Sequence, residues 1–436
     1  MDLESLLALA AKSAEQAEVF FVSSKETPVG FEANRLKHLQ TKESTGVGLR
    51  IVKNGRTGIS ATNRLQDHKQ LVAQAVEMSQ FGAAAMFELP SVTAYAKLDT
   101  YDPAVEAVAI DDMVQMGQQL IDKVRSVNQD LLCEATVTKR TSSVRILNSK
   151  GCSVSYQKSV FALGIEGTLI RGTDMLFVGD SDSSCRPIKE TAHVSKAVIE
   201  QLELAKDTVP APNGKVPVVF TPHAVAGGLL FPLTVAFNGK TVLQGASPLV
   251  GRLGQEVLDK RFTLWDDPLV PYKPGSRICD DEGVPSRRNA LVDHGVAATF
   301  LYDLQTAGLA KAKSTGSAAR SVGGLPSPSS SVLVIEAGDV SYKQMLADIN
   351  EGLVVEQLLG AGQGNVLGGD FGGNVLLGYK IERGRIIGRV KDTMVSGNVY
   401  ESMKRLRALG SERRWIGGSL HTPAIACDDV SVSRKG

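Results

Sequence analysis

The segment that most constrains the fold of this chain is "GVGLRIVKNGRTGISATN", residues 46–63, where apolar and polar residues alternate on both sides of an Asn-Gly pair. Such alternation predicts two half-buried strands, because successive side chains of a strand point to opposite faces of a sheet. The pair Asn54-Gly55 is the strongest short-range signal for the tight turn of a hairpin. The sequence therefore predicts an antiparallel hairpin near the N-terminus.

The rest of the N-terminal half mixes strand and helix patterns. Residues 18–24 are apolar and β-branched enough for a strand, and a second hairpin region turns near residues 149–151. Apolar residues recur at helical spacing in residues 65–81, 110–127 and 189–207. We therefore expect an N-terminal domain of the α+β class.

The segment Asp207–Lys215 holds two prolines and an Asn-Gly pair but no apolar run, so it is the best candidate linker. We predict an N-terminal domain over residues 1–208 and a C-terminal domain over residues 209–436. The second half has an apolar helix pattern after Thr221 and a further helix predicted to end at Gly410. Its remaining patterns are those of strands, which predicts a mainly antiparallel sheet with packed helices.

Bulk composition excludes several classes of protein. The formal net charge is +1, from 48 basic and 47 acidic residues, and a dedicated nucleic-acid-binding protein usually has a basic surplus. Five widely spaced cysteines without a C-x-x-C pair favour neither a disulfide framework nor a thiolate zinc site. The N-terminus lacks the pattern of a secretion signal, and no apolar run is long enough to cross a membrane. We therefore expect a cytoplasmic protein without direct nucleic-acid or membrane partners.

The most metal-like stretch is "ICDDEGVPSRRN", in which Asp280, Asp281 and Glu282 are consecutive. It is compatible with a metal site, a catalytic pair or a charged loop. Consecutive carboxylates of an extended segment point to alternate faces, so at most two of them converge on one ligand. Arg287 and Arg288 lie close enough in sequence to neutralise the cluster. These points favour a salt-bridged loop.

The histidines and the glycine-rich run offer weaker signals. No two of the six histidines have the spacing of a metal-binding pair on one helix face. Thr221 or His223 is expected to cap or begin a helix, and His294 to occupy a turn. The glycine-rich residues 360–374 lack the Gly-Lys-Ser/Thr of a phosphate-binding loop. Glycines that lead into strands instead indicate close backbone approach, as in a groove that accepts an extended peptide.

Four segments together resemble the TldD/PmbA family, also called modulator of DNA gyrase. They are the hairpin of residues 46–63, "DDEGVPSRRNALVDHGVAATFLYD", "LGGDFGGNVLLGYKIERGRIIGRVKDTMVSGNVYESM" and "TPAIACDDVSV". They occur in family order and cover nearly the whole chain. The resemblance implies an N-terminal α+β domain, a C-terminal domain dominated by antiparallel sheet, and association into dimers.

The resemblance also implies what this chain lacks. The TldD branch is a zinc metallopeptidase that carries H-E-x-x-x-H on a helix early in the C-terminal domain and a later cysteine as third ligand. Here the corresponding helix has one histidine, His223, no glutamate, and Gly228 in place of the second histidine. Cys427 follows Pro423, whereas the family ligand precedes that proline. The chain therefore resembles the PmbA/TldE branch, the partner subunit without zinc ligands.

The resulting hypothesis is a non-catalytic subunit without a cofactor of its own. It would pair with a TldD-like zinc peptidase subunit, or form a homodimer, and admit extended or unfolded peptides for proteolysis or peptide maturation. One alternative is a self-sufficient metallopeptidase whose ligands come from Asp280, Asp281, Glu282, His223 and His294. Another is a protein that modulates gyrase by binding, which predicts a contiguous basic face.

The resemblance assigns three groups of positions to the lining or bracing of a central cavity. The first group is Asp281, Glu282, Gly283 and Arg287; the second is Gly369, Asp370 and Phe371; the third is Ser396, Gly397 and Asn398. A structural role is equally compatible with the third group, because Ser396 or Asn398 is suited to cap the helix that follows.

Overall fold

The computed structural model describes residues 2–64 and 66–434 of the chain. It contains two large β-sheets with helices packed against them, which confirms the α+β class.

The first sheet is antiparallel throughout and has seven strands in the order β4-β3-β1-β5-β6-β7, with β2 paired to β1. Its strands are β1 (Gln16–Glu32), β2 (Arg35–Leu39), β3 (Lys42–Lys53), β4 (Arg56–Thr62), β5 (Leu132–Asn148), β6 (Ser153–Arg171) and β7 (Asp174–Ser184). The predicted hairpin is β3 and β4. Its turn residues Asn54 and Gly55 have φ angles of 50° and 69°, as a tight two-residue turn requires.

Five helices accompany the first sheet: α1 (Leu3–Ala11), α2 (His68–Ser79), α3 (Ala104–Ala107), α4 (Ile110–Arg125) and α5 (Ala192–Leu204). Three of them match the predicted helical stretches. Helix α2 begins where the Asp67 side chain accepts a hydrogen bond from the backbone of Gln70. Leu65, at the start of the predicted stretch, lies outside the described residues.

The second sheet has eleven strands and is mainly antiparallel, with two parallel pairs, β8 with β15 and β14 with β20. The strands of this half, including the separate pair β12 and β13, are β8 (Gly214–Phe220), β9 (Leu264–Asp266), β10 (Asn289–Asp293), β11 (Val296–Ala297), β12 (Ala318–Ala319), β13 (Ser327–Pro328), β14 (Leu333–Ile335), β15 (Glu351–Leu359), β16 (Asp370–Glu382), β17 (Arg385–Arg389), β18 (Thr393–Asn398), β19 (Leu406–Ile416) and β20 (Leu420–Arg434). The helices are α6 (Pro222–Ala224), α7 (Leu230–Ala236), α8 (Gly239–Leu243), α9 (Leu304–Ala310), α10 (Tyr342–Ala347) and α11 (Val399–Lys404), with a π-helical turn over Val225–Leu229 and a 3-10 turn over Val366–Gly368.

The prediction of a helix ending at Gly410 is wrong. Helix α11 ends at Lys404, and Gly410 lies inside β19, which pairs with β20. The segment after Lys404 has helix-forming residues, but pairing with a long neighbouring strand outweighs that local preference. Pairing with β20, and not local helix preference, determines the secondary structure of this segment.

One apolar core joins the two halves. Helices α4 and α5 pack their buried residues, such as Leu120 and Val198, against Leu163 of the first sheet and against Leu377 and Tyr379 of the second. Fully burying a side chain of this size contributes about 1.5–3 kcal/mol. The division into domains at residues 208 and 209 stays a prediction, because this cluster takes residues from both halves.

In the part of the chain that the structure describes, no helix has both the length and the apolar composition needed to cross a bilayer.

Candidate functional site

The acidic stretch forms a tight turn whose first carboxylate serves the backbone. Asp280 Oδ1 accepts hydrogen bonds from the N–H groups of Glu282 (3.0 Å) and Val284 (2.9 Å), and Oδ2 accepts one from Ala318 (3.0 Å). Gly283 has a φ of +75°, a conformation that favours glycine. Asp280 is therefore occupied in holding the turn against β12.

Glu282 belongs to a buried chain of four charged side chains, which we call the charge network: Glu282, Arg50, Glu18 and Arg320. Arg50 Nη1 lies 2.6 Å from Glu282 Oε1, and its Nη2 lies 3.0 Å from Glu18 Oε2. Arg320 Nη1 lies 2.6 Å from Glu18 Oε1. All four side chains are at most 3% exposed, and their formal charges balance.

The charge network ties the two halves of the chain together. Glu18 and Arg50 lie on β1 and β3 of the first sheet, whereas Glu282 and Arg320 come from loops of the second half. Glu282 Oε2 also accepts the backbone N–H of Leu304 (2.7 Å), at the start of α9. A buried ion pair adds little by itself, but removing one partner leaves an uncompensated charge, which is strongly destabilising.

The pKa values within this region are shifted in opposite directions. Burial raises the pKa of Glu282 to about 8, against the lowering effect of Arg50. Burial also raises the pKa of Asp280 to about 6, although Arg277 and three backbone hydrogen bonds oppose this. Burial would raise the pKa of Glu18 too, but Arg320 and Arg50 outweigh it and lower this pKa. Glu18 is thus the carboxylate that holds its charge most firmly.

The arginines that neutralise the acidic stretch are not the predicted ones. The Arg287 side chain is exposed and donates to the carbonyl of Ser314 (2.7 Å), and Arg288 lies 3.5 Å from Asp267. Both side chains contact groups outside the acidic stretch, and Arg50, from β3, takes the expected role by pairing with Glu282. Arg320 pairs with Glu18 instead.

Two positions of the second group are cross-strand partners of two positions of the third group. Asp370, Phe371 and Gly372 of β16 stand opposite Asn398, Gly397 and Ser396 of β18, respectively. Phe371 is 2% exposed and packs edge-on against Phe220, with ring centroids 5.8 Å apart. A Cβ atom at Gly397 would come within 2.8 Å of the Phe371 ring, so a glycine is required there.

Asn398 caps helix α11, as predicted for this position. Its Oδ1 accepts the N–H of Tyr400 (3.1 Å), while its Nδ2 donates to Gly368 O and to Asp370 Oδ1, both at 2.8 Å. Gly369 adopts a φ of +91° and packs against Tyr400. These contacts brace the two strands; the lining of a substrate cavity by these positions stays a prediction.

The helix that carries His223 is irregular. Thr221 stands at its N-cap position without a side-chain cap hydrogen bond, and Pro222 occupies the first turn. Residues 225–229 then form a π-helical turn, a feature frequent at functional sites. A Cβ atom at Gly228 would come within 2.9 Å of Leu358, so this position is closed to a larger side chain unless Leu358 moves.

His223 is engaged in a polar cluster. Its Nε2 lies 3.2 Å from Asp180 Oδ1, and Arg414 contacts the other carboxylate oxygen of Asp180. Burial would raise the pKa of Asp180, but the hydrogen bond from His223 and the charge of Arg414 outweigh it and lower this pKa. Burial raises the pKa of the neighbouring Glu356. His223 therefore has a fixed partner inside the protein.

His223 also borders an open cleft of about 790 Å³, which we call the trough. Its floor is one face of β5, β6 and β7, formed by alternate residues such as Thr136, Gly164 and Ser181. Pro274 and Gly417 lie at one end, and the wall is completed by His223, Gln357 and Leu376. The opposite face of these strands is buried in the shared core.

Two sets of candidate zinc ligands fail to assemble. The first set consists of the positions that correspond to the family's zinc motif and its later cysteine. In this set, His223 is hydrogen-bonded to Asp180, Ala224 is fully buried and Gly228 has no side chain. Cys427 is buried in β20 opposite Val218. Burial raises the pKa of the Cys427 thiol to about 12, which disfavours the thiolate that zinc requires. The residues present therefore do not fit a zinc ion.

The alternative ligand set also stays apart. Asp280 and Glu282 are fully buried and hydrogen-bonded in the turn, whereas His294 is an exposed turn residue with a φ of 47° that pairs with Asp293. Among the described residues, no three His, Cys, Asp or Glu side chains are grouped closely enough to hold a metal ion.

Comparison with known families gives the class of the protein as metallopeptidase-related. Residues 213–434 match the family model of the PmbA/TldA metallopeptidase C-terminal domain, and residues 17–79 match domain 1 of the same metallopeptidases. The first match covers more than half of the chain. The chain therefore belongs to the PmbA/TldD family, which confirms the resemblance seen in its motifs.

Relatives span the whole chain. An uncharacterised protein of Methanocaldococcus jannaschii, MJ0231, is 27% identical over 98% of each chain. The crystal structure of TldE from Thermococcus kodakarensis superimposes with a TM-score of 0.90 over 99% of each chain, at 24% identity. A protein of Thermotoga maritima, suggested to modulate a DNA gyrase, has a TM-score of 0.89 over 99% of each chain, at 21% identity. The two structures show that the fold is shared.

Sequence patterns missed most of the polar partners described above. Glu18, Arg50 and Asp180 lie inside strands, and Glu356 and Arg414 lie on two further strands far along the chain. One signal was available: Glu18 and Arg50 interrupt otherwise apolar strand segments, and a charged residue in a buried strand requires a partner. Nothing in the sequence indicates which partner it finds.

Proposed function

We propose that this chain is a non-catalytic subunit of a peptidase and acts together with a zinc-bearing member of the same family. The observation that carries the proposal is the helix at His223. Its one imidazole is already bound to Asp180, and Ala224 and Gly228 stand where a general base and a second ligand are needed.

What the chain contributes instead is a place for an extended substrate. The trough has a floor of small and hydroxylated residues on rigid antiparallel strands, and its other face is anchored in the shared core. A rigid open sheet face holds an extended chain with little loss of its own freedom. The proposal is that the trough positions peptides for cleavage or maturation by the partner subunit.

We also propose a reducing compartment, the cytoplasm, as the location. All five cysteines are free and buried, and disulfides are rare where thiols are kept reduced.

The proposal is tested by measuring zinc content and cleavage of denatured casein for the purified chain, for a zinc-bearing paralogue, and for both together. The chain alone is expected to hold far less than one zinc per molecule and to cleave nothing. The two together are expected to co-purify and to cleave casein faster than the paralogue does. Stoichiometric zinc and cleavage by the chain alone contradict the proposal.

A matched variant of the paralogue controls for contaminating protease. Replacing the glutamate of its zinc-binding helix by glutamine removes the general base and should abolish cleavage by the pair. If cleavage persists, the activity comes from elsewhere.

A further inference from the structure

His223 also borders a second, smaller cavity, which we call the side cavity. Its volume is about 290 Å³, close to the lower end of the range for small-molecule sites in proteins. Its walls come from helices α5, α6 and α10 and from strands β15, β16, β19 and β20. Every lining residue except Thr221 lies in one of these elements, so the side cavity has the rigid frame that a ligand site requires.

A carboxyl group without a cationic partner lines the side cavity. Glu356 of β15 is half-buried and forms no ion pair within the described parts of the chain. The Thr221 side chain is 5% exposed, and its hydroxyl has no hydrogen-bond partner there other than this carboxyl. A carboxylate removed from water needs a cation or several hydrogen bonds, and one hydroxyl does not meet that need.

The cations near Glu356 are engaged by another carboxylate. His223 Nε2 lies 3.2 Å from Asp180 Oδ1, and Arg414 contacts the other oxygen of Asp180. Burial raises the pKa of Glu356, and although His223 and Arg414 oppose this, the charge of Asp180 adds to it. One histidine and one arginine thus serve two carboxylates, and a cation supplied by a ligand corrects the imbalance.

Beside this carboxyl the side cavity is mainly apolar. Ala197 and Leu204 of α5 and Pro222 of α6 line it, and Leu204 is 40% exposed although its side chain is large and apolar. Burial and the charge of Glu356 both raise the pKa of the Tyr342 hydroxyl, which places that hydroxyl near the carboxyl. The side cavity therefore fits a ligand that carries an apolar group next to a cation.

The rim of the side cavity has a free cation of its own. Arg413 of β19 is exposed and lines the cavity, and its side chain forms no ion pair or hydrogen bond in the part of the chain that the structure describes. The neighbouring Glu412 is engaged, because its Oε2 accepts the backbone N–H of Tyr342 (3.2 Å). The cavity thus has an inner acidic group and a basic group at its rim.

From these contacts we infer that the side cavity binds a primary α-amine carried by an apolar residue, with the amine at Glu356 and the apolar group against Ala197 and Leu204. An ammonium group has three donors, and the two carboxyl oxygens and the Tyr342 hydroxyl offer three acceptors. Two kinds of molecule have this chemistry: the amino-terminal residue of a peptide, and a free amino acid, whose carboxylate pairs with Arg413. The inference goes beyond the proposed function, since it uses neither the trough nor the zinc of a partner.

The test is titration calorimetry on the full-length chain at neutral pH. The first probe is leucine amide, the second is N-acetyl-leucine amide, which lacks the charged amine, and the third is glycine amide, which lacks the apolar side chain. The wild-type chain is expected to bind leucine amide at least about 10-fold more tightly than either other probe. Equal binding of the first two probes, or binding of neither, overturns the inference.

Two further probes separate the sources of the amine. Free leucine has a carboxylate for Arg413, whereas the amide of leucyl-alanyl-alanine continues as a peptide. Tighter binding of free leucine than of leucine amide, lost in Arg413→Gln, supports the inference and identifies a free amino acid. Tighter binding of the tripeptide amide supports it and identifies the amino terminus of a peptide.

Variants locate the bound amine. Glu356→Gln should weaken the binding of leucine amide about 10-fold and leave that of N-acetyl-leucine amide unchanged. The matched control Glu200→Gln removes an exposed carboxylate that also lines the side cavity, and it should bind as wild type. Equal losses in the two variants would indicate a general attraction of cations, which overturns the inference.

A second variant keeps the test valid if Glu356→Gln fails to fold. Ala197→Phe fills the side cavity from α5 and leaves Glu356 in place, so it should abolish the binding of leucine amide. Unchanged binding by this variant overturns the inference. None of these measurements uses cleavage or a paralogue, so a failure of the proposed two-subunit activity gives a separate result.

Discussion

The turn at Asp280–Gly283 and the helix at His223 differ in their polar residues and in their access to open space. The turn is rich in carboxylates, yet each of them is hydrogen-bonded inside the protein and two are fully buried. The helix has few polar residues, yet His223 borders an open trough. The carboxylates of the turn have internal partners and brace the fold, whereas the helix at His223 lies beside the trough, where we propose that peptides bind.

The largest expected change in the free energy of unfolding comes from the charge network that holds the turn. Arg50→Met removes the cation shared by Glu18 and Glu282; Arg320 still pairs with Glu18, but Glu282 loses its ion-pair partner. We expect a loss of about 3–5 kcal/mol in the free energy of unfolding, measured by urea denaturation. The control Arg287→Met changes an exposed arginine and should cost less than about 0.5 kcal/mol. Equal losses for the two variants would show that the charge network does not brace the fold.

The pH dependence of stability probes the same network. The pKa of Glu282 is raised from 4.5 to about 8, so the folded chain holds an extra proton between these pH values. The stabilisation is complete below pH 4.5 and is lost as the pH rises towards 8, by at most about 1.4 kcal/mol per pH unit. Urea denaturation from pH 5 to pH 8.5 should show wild type losing stability relative to Glu282→Gln. A gain relative to this variant would mean that Arg50 outweighs burial.

A smaller effect is expected at Asn398, which braces β18 and α11 as the turn braces the two halves. Asn398→Ala removes the cap of α11 and the bonds to Gly368 and Asp370. We expect a loss of about 1–2 kcal/mol by urea denaturation. Ser396→Ala, two residues earlier on the same strand, is the control and should be nearly neutral. The two results together decide which of the two predicted capping residues has that role.

The smallest change in the free energy of unfolding is expected for a substitution at His223. His223→Gln removes the ring that borders the trough, but Asp180 keeps its contact with Arg414. The free energy of unfolding should change by less than about 1 kcal/mol in the same assay. A loss as large as that of Arg50→Met would make His223 a structural residue and would remove the contrast between the two regions.

Local patterns predicted much of the fold because their causes are local. The Asn54-Gly55 turn and the helical spacing of apolar residues in α2 depend on residues a few positions apart. The segment around Gly410 shows the limit of such reasoning. There a helix-like composition forms a strand, because pairing with β20 outweighs local preference.

The candidate site was less predictable for the same reason. The residues flagged at Asp281, Glu282 and Gly283 do lie together, since they are consecutive. Glu282 pairs with the side chain of Arg50 and Asp281 accepts the backbone N–H of Arg320, both from other parts of the chain, and a sequence holds no signal for pairing across such distances. The trough could not be foreseen either, because it exists only where β5, β6 and β7 align their alternate residues.

The sequence by itself determined the α+β class, the hairpins, the family and the lack of a family-like zinc ligand set, since each depends on residue identities or short spacings. Only the tertiary structure decided which arginine pairs with Glu282, what holds His223, and where the trough lies. These are contacts between strands far apart in the chain. Their geometry follows from sheet register and burial, which many residues fix together and no short segment contains.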